Sequence, residues 1–133
     1  MKVKMKNEQI YTIGHLLASS FNEIDNQYLP AKVNFLFQKN KQTMIELAKE
    51  IENARISIVK HFGVLNEETN NFDVPTDKVD EANAEILELF NIEQEVNVYK
   101  INLDELDDLK FTSQQMEALM FMIEYEEEWL ING

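Results

Sequence analysis

Between Pro30 and Gly63 the chain runs for 32 residues without a proline or a glycine. Apolar side chains recur through this run in heptads. Phe37, Met44, Ile51 and Ile58 stand seven apart, and Val33, Asn40, Leu47, Ala54 and His61 form a second seam. That spacing predicts one continuous helix over about 31–62. Pro30 suits a first helical turn, and Gly63 suits the stop. Such a helix is about 48 Å long. In a small domain it either runs alone at one end or pairs with another chain. Asn40 on the seam would set register in a coiled coil; the simpler arrangement lays the helix along the one before it.

The flanking segments supply a small sheet and shorter helices. In "KVKMK", Lys2, Lys4 and Lys6 alternate with Val3 and Met5, as in an edge strand over 2–6 with one apolar face. Asn7 is a candidate cap for a helix over about 8–24, with Ile10, Ile13, Leu17, Phe21 and Ile24 at helical spacing. Gly14 within it costs about 1 kcal/mol relative to alanine, or permits close packing. "GVLNEETNNFDVP" is either a hairpin turning near Asn70–Asn71 or a loop. Thr76 is a candidate cap for a third helix, with Asp77 and Asp80 in its first turn and Val79, Ala82, Ile86 and Phe90 as its buried stripe.

A strand at 95–103 follows, with Val96 and Val98 on one face and Tyr99, Ile101 and Leu103 on the other. It is the natural partner of "KVKMK", which would bring Glu93 and Glu95 opposite the lysines. Thr112 and Gln115 then form a capping box, flanked by a Phe111–Met116 staple. They open a last helix whose Met116, Leu119, Met120 and Ile123 make one stripe. Phe121, Met122, Tyr125 and Trp129 spread apolar area around it. The fold expected is α+β, predominantly helical: a single domain over 1–133 with about four helices and a small sheet pairing 2–6 with 95–103.

Charge divides the chain sharply. Residues 1–63 carry nine Lys/Arg against six Asp/Glu, a net +3, whereas 64–133 carry three against nineteen, a net −16. Phosphates would be repelled by the second half, which argues against direct nucleic-acid binding. The acid is either a solvated coat or a face that meets a basic partner or occupies a nucleic-acid site. There is no cysteine, so disulfides and thiol chemistry are excluded. No apolar run approaches a membrane span, and no signal-peptide h-region follows Lys2–Lys6. A soluble intracellular protein is expected.

Residues for chemistry are scarce. His15 and His61 have no evident catalytic partner in sequence, and Arg55, the only arginine, has Glu52 one turn away as an ordinary helix pair. Asn66, Glu68, Asn70, the Phe72 carbonyl and Asp77 imitate calcium-loop offsets. Asn71 stands where that loop needs glycine, and Asp77 where it needs glutamate. Glycine occurs only at 14, 63 and 133, so no phosphate-cradling loop can form. No enzyme, metal or cofactor is expected. The better candidates for partner binding are Glu124, Tyr125, Glu126, Glu127, Glu128 and Trp129, aromatic residues ringed by charge.

The stretches "MKVKMKNEQI", "LPAKVNFLFQKNKQ" and "EVNVYKINLDELDDLKFTSQQMEALMFMIE" resemble small uncharacterised bacteriophage and prophage proteins of low-GC bacteria, domains of unknown function. The resemblance covers most of the chain and implies a context, the bacterial host cytoplasm, but no catalytic residues. In that context the expectation is a non-enzymatic accessory protein. It would bind a host or phage protein, a basic one among the candidates, and inhibit a host factor such as an anti-phage defence component. The alternative is a virion component or assembly factor. Self-association through the long helix or the last helix is compatible with either.

Overall fold

The computed structural model describes residues 1–20, 28–106 and 109–124. Among them run β1 (Lys2–Lys6), α1 (Asn7–Ser20), α2 (Ala31–Phe62), β2 (Val64–Asn66) and β3 (Asn71–Asp73). Then come α3 (Val79–Asn91), β4 (Glu93–Asn97), β5 (Ile101–Asn102), α4 (Ser113–Leu119) and β6 (Ile123–Glu124). The α+β, mainly helical architecture expected from the sequence is the one adopted. No described helix is long and apolar enough to cross a membrane.

The long helix organises the rest. Its inner stripe, Val33, Phe37, Asn40, Met44, Ala48 and Ile51, is buried. The first parts of both seams therefore merge into one face that packs on α1. Gly14 of α1 is the contact point. A Cβ there would lie 2.5 Å from Ala48 Cβ and 2.8 Å from the Met44 carbonyl oxygen, so the glycine lets the two helices approach. Beyond Ile51 no residue of α2 is fully buried. Its last three turns overhang the core.

β1 and β4 pair antiparallel, with Lys4 opposite Glu95 and Lys6 opposite Glu93. The predicted neighbours and their charge pairing are thus present. Met5, Val96 and Val98 turn their apolar side into the core. The expected strand over 95–103 is, however, two pieces: β4 ends at Asn97, and β5 pairs with β6 in parallel. Asn40 explains the break. Its amide donates to the Tyr99 carbonyl at 2.8 Å and accepts from the Tyr99 N–H at 2.8 Å, acting as a strand neighbour for one residue. Its Nδ2 also lies 3.5 Å from the Met122 sulfur. Asn40 is 1% exposed, so these bonds replace water that it could not otherwise keep. The residue that would set coiled-coil register instead docks a strand of its own chain.

Several local expectations are corrected. The Asn7 side chain does not cap α1; it donates to the Leu89 carbonyl and accepts from Gln94, tying α1 to the end of α3. Gln9 serves the helix start instead, accepting from the Lys6 N–H. Thr76 opens a short 3-10 turn, and α3 begins after Lys78 with no side-chain cap. In the predicted α3 stripe Ala82 is buried, Ile86 and Phe90 are half-buried, and Val79 is exposed. The Thr112–Gln115 capping box is formed reciprocally. The last helix nevertheless stops at Leu119, and Ile123–Glu124 are extended because they pair with Ile101–Asn102. Tertiary pairing here overrides helical propensity.

Candidate interaction surfaces

The overhang of α2 meets the β2–β3 hairpin. Leu65 stands opposite Phe72 across the two strands, and Asn66 opposite Asn71. The four-residue connection is held by the Asn70 N–H donating to the Asn66 carbonyl and the Glu68 N–H donating to Asn66 Oδ1. Asn70 takes φ 58°, a left-handed conformation that asparagine tolerates better than most residues. The turn therefore occupies Glu67–Asn70, just before the predicted Asn70–Asn71. Gly63 is extended, at φ −93° and ψ 166°, rather than a left-handed stop. Its lack of a side chain is still required: a Cβ would lie 2.6 Å from the Val59 carbonyl oxygen and 3.1 Å from Phe72 Cβ.

Between helix and hairpin lies an open cleft of about 690 Å³. Ile56 and Val59 line one side and Leu65 and Phe72 the other, with Arg55, Lys60, Asn70 and Asn71 around them. Among the described residues no carboxylate lines it, although the whole chain has a net charge of −13. Lys60 Nζ sits 5.8 Å from the centroid of the Phe72 ring, a cation–π distance. The hairpin exposes apolar area on both faces, with Val64 at 64% and Leu65 at 46%. A two-stranded hairpin this short gains stability only by packing. Here the packing is supplied on one side by α2.

Arg55 is held from behind. Its Nε and Nη2 donate to the two Glu52 oxygens at 3.0 and 2.6 Å, and Tyr11 Oη donates to Glu52 Oε2 at 2.7 Å. The Tyr11 ring in turn packs edge-on against His15 and Phe90. The hydrogen bonds from Arg55, helped by the one from Tyr11, pull the Glu52 carboxyl down to about 2 despite its partial burial. Bonding to Glu52, with some desolvation, raises the Tyr11 hydroxyl, and the bond to Glu52 raises the Arg55 guanidinium. A guanidinium has five N–H donors. Two are committed to Glu52. The pair is neutral overall, so Arg55 supplies directed donors to the cleft and Lys60 supplies net charge.

A second surface lies on α3 and the turn before it. Asp77 in that turn and Asp80, Glu81, Glu85 and Glu88 on the helix are all exposed, and Leu87 of the same helix is 63% exposed. Of the residues favoured by the sequence, Glu124 is exposed at the end of β6, opposite Asn102. Tyr125, Glu126, Glu127, Glu128 and Trp129 lie outside the described residues. Of the calcium-like residues, the Asn66 side chain is used within the hairpin, its Nδ2 donating to Asp73 at 3.1 Å, and Asp77 lies beyond the hairpin in the 3-10 turn. Among the described residues no three His, Asp or Glu converge to hold a metal. The core beneath Phe37, Leu119 and Met122 keeps a void of only about 10 Å³, room for one water at most.

The cleft itself was missed by sequence reasoning. Its signals were there separately, in a lone arginine beside a glutamate and in the apolar pair Val64–Leu65. Only the overhang of α2 brings them together. The chain matches no protein-family model, no curated protein and no solved structure.

Proposed function

We propose that this is a non-enzymatic, phage-encoded accessory protein that acts in the bacterial host cytoplasm by binding another protein. Its action would be to inhibit a host factor such as an anti-phage defence component. The observation that carries this reading is the set of exposed carboxylates on and just before α3, Asp77, Asp80, Glu81, Glu85 and Glu88, with Leu87 exposed on the same helix. Acid of one sign on an element that also exposes a leucine suits a partner with a basic surface: the leucine supplies contact, and the charge speeds association. Glu124 to Trp129 extend the same chemistry in sequence.

A virion or assembly role is the second reading. It is favoured by the outer face of α2, where Phe35 is exposed beneath Lys39. A second copy could pack on that face.

Affinity capture of the tagged full chain from infected cells separates the two. The first reading expects one host protein at stoichiometric yield, with capture weakened by salt. Recovery of the chain with purified phage particles, and with no host protein, would replace it by the second.

A further inference from the structure

We propose that the cleft between α2 and the hairpin is a second docking site, for a partner segment of opposite charge to the first. It would take an acidic peptide that inserts an apolar side chain between Ile56 and Val59 on one side and Leu65 and Phe72 on the other. The occupant's carboxylates would meet Lys60 and N–H groups of Arg55 other than the two that Glu52 holds.

Three observations carry this. The first is charge. Over the whole chain Asp and Glu outnumber Lys and Arg by 25 to 12. Among the described residues this lining holds Lys60 as its net positive charge, the Glu52-paired Arg55 as a donor, two asparagines and no carboxylate. With screening over about 8 Å at physiological salt, the local lining decides what docks there more than the net charge does. The second is preorganisation. Glu52 grips Arg55 at two points, and Tyr11 fixes Glu52. The guanidinium is therefore already oriented, and less rotamer freedom is lost when its other N–H groups meet a carboxylate. The third is the wall. Leu65 is nearly half exposed on a hairpin whose facing residue, Phe72, packs only partly. Four apolar residues favour a peptide over a bare anion, which would leave them wet.

The test uses the isotope-labelled full chain and three fluorescein-labelled probe peptides: Glu-Glu-Leu-Phe-Glu-Glu, Lys-Lys-Leu-Phe-Lys-Lys and Glu-Glu-Ala-Ala-Glu-Glu. The first should bind saturably, with amide shifts concentrated on 55–72, and the other two should bind at least about fivefold more weakly. Lys60→Gln and Leu65→Ser lie at the surface and should each weaken the first peptide by about threefold to tenfold. Their circular dichroism should match that of the parent. The triple variant Glu81→Gln, Glu85→Gln, Glu88→Gln on α3 should leave this binding unchanged, so a failure here is distinct from a failure of the acidic-face reading. The proposal is overturned by no saturable shift, by shifts centred on α3, or by equal binding of the lysine peptide. Dimerisation of the chain that blocks the same amides would assign the cleft to a second copy and overturn it as well.

Discussion

Two polar groups on one helix, Asn40 and Arg55, have opposite fates. Asn40 lies where α2 is covered on its inner side, and its amide is consumed by the backbone of Tyr99. Arg55 lies on the overhang, where one edge of the guanidinium is gripped by Glu52 and the rest borders a cleft. The first group has no capacity left for a ligand. The second does. A polar residue on a long helix therefore says little alone; what matters is whether the fold closes over it.

Breaking the Asn40 node should have the largest effect. Asn40→Leu leaves the Tyr99 N–H and carbonyl without partners in the interior, which should cost about 3 kcal/mol or more in urea unfolding. Asn40→Asp keeps an acceptor but buries a charge, and should be no better. A loss below about 1 kcal/mol for both would mean that water reaches Tyr99 and that the interior is not closed there.

Gly14→Ala probes the boundary between the covered and overhanging parts of α2. Helix propensity alone predicts a gain of about 1 kcal/mol. The added Cβ would meet Ala48 Cβ and the Met44 carbonyl, neither of which is a flexible side-chain end. Overpacking should win, for a net loss of about 1–2 kcal/mol. Adding Ala48→Gly should recover part of it, and a stabilised single variant would show the helices to be further apart.

At the open end the effects are smaller and depend on pH. The Glu52 carboxyl is depressed to about 2 from an ordinary 4.5. Its contribution is therefore full above pH 4.5 and is lost as pH falls through about 2. Because Glu52 and Arg55 are each about a third exposed, screening reduces that contribution to about 1 kcal/mol. Glu52→Gln should flatten this part of the acid limb in pH-dependent melts, leaving the rest to other carboxylates. Smallest of all, Val64→Thr on the outer hairpin face should shift stability by no more than about 0.5 kcal/mol. A larger loss would mean that the hairpin packs against something on that face.

Much of the fold could be read directly from the chain. The proline- and glycine-free heptads marked α2, alternating lysines marked β1, and the Thr112–Gln115 box marked the start of α4, because each signal is local. The features not read were set by distant partners. Nothing near Tyr99 announces that a side chain 59 residues earlier will interrupt its strand. Nothing in "EALMFMIE" announces that Ile123 will pair with Ile101 rather than continue a helix. The candidate site divides in the same way. The acid of the second half was countable, whereas the cation-lined cleft depends on how far α2 outruns its core.

Residue-resolved amide hydrogen exchange tests this contrast most directly. The Tyr99 amide, donating to buried Asn40, should exchange only through opening close to global unfolding. The hairpin amides over 64–73 should exchange through local opening, faster by several orders of magnitude. If Tyr99 exchanged as fast as the hairpin, the Asn40 node would not be closed, and the division of α2 into a locked part and an open part would fail.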